Sequence, residues 1–319
     1  MRVAVIGLGV IGSVHARILR ENGLLYAVCD IDEAKLAHYP FVAQSTDYIR
    51  LLDELKPDAV HICTPHYLHA EMVIAALERN IHVLCEKPLC ISHEEIDAVL
   101  RAEERSSAYL GVCLQNRYNP ANRFAKEYLE DKKVSAAVAH VAWNRDADYY
   151  AAADWRGKWE SEGGGVLINQ ALHTLDLLQW LAGKPESLVA SVSNLTLDGV
   201  IEVEDTAVIL GEGKARISFF ATNGAGADLP VEITVKTDAG TLKILPKAVL
   251  ADGELHTFES NAPVNGKVCY GNSHGTLIAD FYRCIAEGRP FPINGREGAE
   301  VVRLILAAYE SRGKRTAVR

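Results

Sequence analysis

Residues 2–6, Arg-Val-Ala-Val-Ile, form a short apolar run, and Gly7-Leu8-Gly9-Val10-Ile11-Gly12 follows without a break. Helical spacing then begins, with Val14, Ile18 and Leu19 on one face and Arg17, Arg20 and Glu21 on the other. Few folds accept a strand that ends in three glycines at this spacing and continues as a helix. Gly7 permits a tight turn, Gly9 lets the backbone approach a pyrophosphate, and Gly12 allows close helix–strand packing. The N–H groups of the helix start, Val10 and Ile11 included, are then offered to the anion. Glycine-rich turns also serve as plain connectors, so the context decides. It comes from a second apolar run, Leu25 to Cys29, which closes on Asp30. That acid lies about twenty residues along, where ribose recognition expects one. Its carboxylate accepts from a ribose 2′-hydroxyl and repels a 2′-phosphate, which favours NAD over NADP.

Strand and helix patterns keep alternating. Residues 32–39 and 47–55 read as helices, the latter stopped by Pro57, with a short strand at Val42-Ala43 between them. Residues 59–64 read as a strand leading into Pro65-His66-Tyr67-Leu68-His69, where a helix opens. The run from Ile81 to Cys85 ends abruptly in Glu86-Lys87-Pro88, and a proline cannot continue a central strand. Thr64-Pro65 and Glu86-Lys87 thus end strands on the cofactor side of a doubly wound parallel sheet. A lysine there, near apolar surroundings, is able to handle a proton near neutral pH, whereas the plainer reading is a solvated Glu-Lys pair. His69 has two equal readings, a contact to cofactor or a surface histidine; His61 and His82 read as structural. Ser92 and Glu95 make a capping box. A strand over 108–114 delivers Asn116, Arg117 and Tyr118 to the crevice, although Arg117 reads equally well as an ion-pair residue.

The first domain is placed at residues 1–118 and a second at 119–319. In the second, Val134 to Trp143 reads as a strand, followed by an aromatic, charged stretch that includes Trp155 and Arg156. Glu162-Gly163-Gly164-Gly165 opens a helix expected over 166–181, which sets Asn169, His173, Asp176 and Trp180 on one face. Several polar groups on an apolar helix suggest a lined cavity. Strands alternate from Ser187 to Leu245, with hairpin turns at 238–240 and 252–253. Helices over 274–287 and 296–312 close the chain, and His274 reads as a cap or surface residue, with a pocket role as the alternative. The fold class is α/β: an N-terminal doubly wound parallel Rossmann domain plus a C-terminal α+β domain with a largely antiparallel, open-faced sheet.

At 319 residues the chain has room for about two domains, and its formal charge of −9 is dispersed. No basic face for nucleic acid or an anionic membrane is expected. The seven cysteines form no C-x-x-C pair and no Cys/His zinc spacing, so reduced core thiols and no metal are expected. No signal-peptide core follows Met1 and no apolar run reaches membrane length, which together imply a cytoplasmic protein.

Four segments, Val-Ala-Val-Ile-Gly-Leu-Gly-Val-Ile-Gly, Cys-Thr-Pro-His-Tyr-Leu-His, Cys-Glu-Lys-Pro-Leu and Gly-Gly-Gly-Val-Leu-Ile-Asn-Gln-Ala-Leu-His-Thr-Leu-Asp, resemble the Gfo/Idh/MocA oxidoreductases. The resemblance reaches the closing Gly-Arg-Glu-Gly-Ala-Glu segment. It implies NAD as cofactor, Lys87 as the catalytic lysine aimed by a cis peptide at Pro88, and His173 sharing the acid/base work. It also implies a loop at Trp155-Arg156 near nicotinamide and substrate, and a homodimer or homotetramer formed through the C-terminal sheet. Many members carry aspartate where this chain has Asn169, and an amide cannot ionise, though it can hold a hydroxyl. Asn-Gln ahead of the histidine is similar to members acting at sugar C3. The expected activity is NAD-dependent removal of hydride from a secondary hydroxyl of a sugar, cyclitol or sugar derivative. Two alternatives are a redox-neutral glycosidase, lyase or epimerase that recycles its NAD, and a non-catalytic sugar- and dinucleotide-sensing regulator.

Overall fold

The computed structural model describes residues 1–259 and 273–319. The chain forms two compact units, Met1–Leu114 with His274–Ala299, and Gln115–Ser273 with Glu300–Arg319. A division at 118/119 therefore misses a segment that returns to the first unit. Packing explains the return: Phe281 and Phe291 lie buried against Gly111, where a Cβ would come within 2.9 Å of either ring. The Ile293 carbonyl also accepts from the Val112 N–H at 2.8 Å.

In the first unit, β1 (Val3–Ile6), β2 (Leu25–Cys29), β3 (Ala43–Ser45), β4 (Ala59–Ile62), β5 (His82–Cys85) and β6 (Leu110–Val112) form one sheet in the order β3-β2-β1-β4-β5-β6. Every pairing is parallel. β1 and β4 are buried along their whole length, as expected of strands with both faces covered. The order reverses between β1 and β4, which makes that gap the switch point where such sheets bind ligands. The helix after the glycines spans Val10–Glu21, and those over His69–Leu77 and His93–Arg105 match expectation. The helices expected at 32–39 and 47–55 are shorter. Glu33–Leu36 is one turn capped by Asp32, and Tyr48–Arg50, capped by Asp47, passes into a wide turn over Leu51–Leu55. Lys56 leaves that turn in the left-handed region, since a residue before proline is disfavoured in the helical one.

In the second unit, β7 (Val134–Ala142), β8 (Pro185–Ser193), β9 (Thr206–Gly213), β10 (Arg216–Thr222), β11 (Glu232–Thr237), β12 (Thr241–Leu245), β13 (Ala248–Ala251), β14 (Glu254–Thr257) and β15 (Thr316–Ala317) make a sheet ordered β14-β13-β12-β11-β7-β10-β9-β8-β15. β7 and β10 pair in parallel, and the remaining pairs are antiparallel. Asp252 and Gly253 turn the β13–β14 hairpin with both φ angles positive, at 53° and 83°. Alternation along the strands turns Ala139, Val141, Ile209, Phe219 and Val235 inward, beneath helices Pro120–Tyr128 and Leu172–Ala182. The opposite face exposes Val138, Val189, Val208, Leu210 and Phe220.

Among the described residues, no helix is long and apolar enough to cross a membrane. Cys29, Cys63, Cys85, Cys113 and Cys284 are buried free thiols, and Cys269 lies outside the described residues.

Candidate active site

The glycine turn is shaped by what it cannot carry. Gly7 has φ of 89°, and a Cβ there would stand 2.6 Å from the Cys63 carbonyl oxygen; one at Gly12 would stand 1.8 Å from the Gly7 oxygen. β1, β4 and the first helix are therefore held closer than side chains permit. Above Gly9 there is open space, and that residue begins the helix without any side-chain cap. Val10 is 72% exposed and Ile11 half-buried, so the helix start faces outward with its first N–H groups uncapped. Asp30, at the end of β2, is buried and accepts from the Leu8 N–H at 2.6 Å and the Asp32 N–H at 3.0 Å. Lys35 approaches the same carboxylate at 3.2 Å. One carboxylate thus fixes the glycine turn while standing where a ribose is recognised.

Two further strand ends lie in this unit. Thr64 and Pro65 are half-buried, and the Thr64 hydroxyl points to the Met72 sulfur at 3.5 Å. Lys87 is half-buried, and the Lys87–Pro88 peptide is cis. His69 is neither an exposed histidine nor one whose ring faces outward. It is buried between the two strand ends, with Nδ1 2.7 Å from the Pro88 carbonyl oxygen and Nε2 2.9 Å from that of Thr64, and its single ring N–H donates to one of them. Glu86 likewise departs from the expected crevice position, because its carboxylate turns into the interior. It meets His15 Nε2 at 3.0 Å and His274 Nε2 at 3.9 Å, and it accepts from the Cys113 thiol. His274 is therefore neither a cap nor a surface residue. His15 Nδ1 lies 2.8 Å from His61 Nδ1, and His61 Nε2 lies 2.6 Å from the Tyr282 hydroxyl. The hydrogen bond and charge from His15 hold the Glu86 carboxyl below the usual range against its burial, while burial lowers His274 to about 4.

The second unit holds the other expected residues. Its helix begins at Leu172, six residues later than the periodicity suggests. Ahead of it, buried Glu204 holds the chain: its carboxylate accepts from the N–H groups of Gly165 at 2.9 Å and Leu167 at 3.0 Å, and its carbonyl from Val166 at 3.0 Å. Residues 163–171 stay in turns, and Asn169 does not share a helix face with His173. His173 is buried, with Nε2 3.2 Å from the Gln115 amide nitrogen. An amide N–H only donates, so Nε2 accepts and the ring proton sits on Nδ1. Asn169 donates to Glu162 at 2.5 Å and to the Tyr149 hydroxyl at 3.4 Å. A carboxylate thus stands next to the amide that replaces the common aspartate.

Arg117 and Asp176 form a buried bidentate pair at 2.8 and 2.6 Å, with the guanidinium 5.5 Å from the centre of the Trp180 ring. This is the ion-pair reading of Arg117, with the partner supplied by the helix Leu172–Ala182. The Asn116 carbonyl accepts from Asn122 at 2.7 Å, and Tyr118 is half-buried in the same short turn. Trp155 and Arg156 are half-buried; Arg156 donates to the Tyr149 carbonyl at 2.9 Å and lies 4.3 Å from the centre of the Tyr149 ring. Glu162, Glu204, His15 and Cys113 were not singled out as site residues by the sequence reading. Of these, Glu162 alone had a signal, a charge directly before three glycines; Gln115 opens the polar run that follows the strand over 108–114.

The room above Gly9, the uncapped helix start and the acid at the end of β2 fit a dinucleotide, and the first unit is that of a nicotinamide-dependent oxidoreductase. Residues 1–114 match a family described as oxidoreductase family, NAD-binding Rossmann fold, and residues 125–243 match the GFO/IDH/MocA C-terminal domain. The chain belongs to the Gfo/Idh/MocA oxidoreductase family, with NAD as its cofactor. It is 23% identical to myo-inositol 2-dehydrogenase of Thermotoga maritima, over 100% of this chain and 98% of that protein. A 2,7-anhydro-N-acetylneuraminate hydratase of Mediterraneibacter gnavus is 29% identical over 61% of this chain, which spans about half (53%) of that protein. The WlbA dehydrogenase of Bordetella pertussis, solved with NADH and UDP-GlcNAcA, superposes with a TM-score of 0.85 at 26% identity, covering 100% of this chain and 98% of the other.

Proposed function

We propose that this chain oxidises a secondary hydroxyl of a sugar, cyclitol or sugar derivative, with Lys87 as the acid/base residue and His173 sharing the proton work. The observation that carries this reading is Lys87 at the end of β5, half-buried, on the sheet edge where the glycine turn and Asp30 also stand. Gly7, Gly9, Gly12 and the helix start at Val10 and Ile11 hold the pyrophosphate, and Asp30 holds the ribose. Thr64 and Pro65 line the same edge. NAD, when bound, supplies the two-electron acceptor. Lys87 takes the hydroxyl proton, and His173, 3.2 Å from the Gln115 amide, shares the proton work. Asn169, Asn116, Tyr118 and Trp155 position the substrate hydroxyls. Support for the substrate class comes from relatives named as inositol and levoglucosan dehydrogenases and from a neighbour solved with UDP-GlcNAcA. Action at C3 remains part of the proposal through Asn169-Gln170.

The relative named as a hydratase favours a second reading, in which hydride returns to the product and NAD is recycled within one turnover. Assembly as a dimer or tetramer through the exposed face of the second unit's sheet completes the proposal. The register sets Val189, Leu210 and Val138 in one row and Val208 and Phe220 in the next.

Incubating the full-length chain with isotopically labelled NAD and a panel of cyclitols, sugars, anhydrosugars and UDP-sugars tests both readings. Label exchange that disappears in Lys87→Ala supports the chemistry. NADH accumulation marks net oxidation, and product without NADH marks the recycled cycle. Tight NAD binding with no exchange across the panel would leave the sensing regulator.

A further inference from the structure

Four potential metal ligands come together inside the first unit from four separate places in the chain. His15 lies on the first helix, Glu86 follows β5, Cys113 follows β6 and His274 starts the helix His274–Ala286. All four are buried, and their ligating atoms lie within 4.8 Å of one another. Tetrahedral zinc, with bonds of about 2.0–2.3 Å, sets its ligand atoms about 3.3–3.8 Å apart. The cluster is therefore within a few tenths of an ångström to about 1 Å of a coordination shell.

We propose that His15, Glu86, Cys113 and His274 bind one divalent transition ion, zinc by its ligand set, in a closed structural site. Charge is the first argument. A carboxylate and a thiolate balance a divalent ion, so the loaded site is neutral in an interior that penalises net charge. Loading releases the Cys113 proton. The ring of His274 supplies the second argument. Its Nε2 stands 3.9 Å from the Glu86 oxygen. That distance is too long for a hydrogen bond and suits two ligands of one ion. The third argument is the chain behind His15. When His15 Nδ1–H donates to His61 Nδ1 and His61 Nε2–H donates to the Tyr282 hydroxyl, the His15 Nε2 lone pair faces the site. Metal-bound histidines are oriented by such outer partners. Without metal, the same chain runs in reverse, from the Tyr282 hydroxyl to Glu86, with every donor matched.

Nitrogen, sulfur and oxygen donors together select a borderline ion rather than magnesium or calcium. Four protein ligands leave no open position, so the ion is structural and no step of the proposed oxidation passes through it. It joins the returning helix to the strand end that carries Lys87. Ligand separations of 71, 27 and 161 residues explain why no zinc spacing is visible in the sequence.

Reduced full-length protein is stripped by dialysis against chelator and reloaded with cobalt(II), and metal content and the absorption spectrum are measured. One cobalt per chain with a thiolate-to-cobalt charge-transfer band is expected, lost in Cys113→Ser and retained in Cys29→Ser. His274→Gln should lower uptake several-fold. Zinc should raise the melting temperature of the stripped wild type and leave that of Cys113→Ser unchanged. No uptake, or a charge-transfer band that survives Cys113→Ser, would overturn the site. If Cys113→Ser does not fold, native mass spectrometry of the wild type decides: one retained zinc per chain supports the site, and a metal-free mass after zinc addition excludes it.

Discussion

Lys87 and His173 carry the proposed proton transfer, and each is separable from cofactor binding. Lys87→Ala and His173→Ala should each lower turnover by about 10²–10⁴-fold, the usual weight of a general acid/base. NAD affinity, measured by titration, should stay near wild type, and parallel losses in turnover and affinity would remove either residue from this role. Asp30 behaves differently because it has two tasks. Asp30→Ala removes the acceptor of the Leu8 N–H as well as the ribose contact, so NAD binding should weaken by about 1.5–3 kcal/mol, the worth of a charged hydrogen bond. Unchanged affinity in calorimetry would refute that. The position of Asp30 is legible in the chain because a glycine turn and the acid on the next strand have a fixed separation. The fate of His69 is not, since its partners are the carbonyls of Thr64 and Pro88, brought together by two different strands.

At the level of elements, the close approach of the first helix to β1 has a single point of failure. Gly12→Ala puts a methyl group against the Gly7 carbonyl, and overpacking of this kind costs about 1–3 kcal/mol. A lower melting temperature together with weakened NAD binding is the expected result. The turns ahead of helix Leu172–Ala182 are held by Glu204, whose carboxyl is pushed up to about 7 by burial. A raised carboxylate binds protons in the folded chain that the unfolded chain has already released. Stability from this group is therefore full below pH 4.5 and falls as pH rises to about 7. Glu204→Gln should flatten that part of the melting-temperature profile, and an unaltered profile would contradict the assignment. Apolar periodicity extends the helix back to Val166 because it measures which residues are buried. It is blind to a carboxylate 37 or more residues away that holds the N–H groups of Gly165 and Leu167.

For the whole molecule, the exposed sheet face departs from an ordinary polar exterior, with Val138, Val189, Val208, Leu210 and Phe220 uncovered. Leu210→Lys combined with Phe220→Glu places charges in both rows of that face. Light scattering should show the proposed dimer or tetramer reduced to a monomer while NAD binding persists; an unchanged mass would refute this interface. The chain by itself determined the parallel sheet, the glycine turn, the acid at β2, the lysine after β5 and the alternation of the second sheet. Each is written in local order, where the periods of helix and strand and the φ demands of glycine and proline act over a few residues. Only the tertiary structure decided that 274–299 returns to the first unit, that Arg117 belongs to Asp176, and that Glu86 faces His15, Cys113 and His274 instead of the crevice. Those outcomes are set by burial, which makes each charged or polar group find a partner wherever the packed chain presents one, however far along the sequence that partner lies.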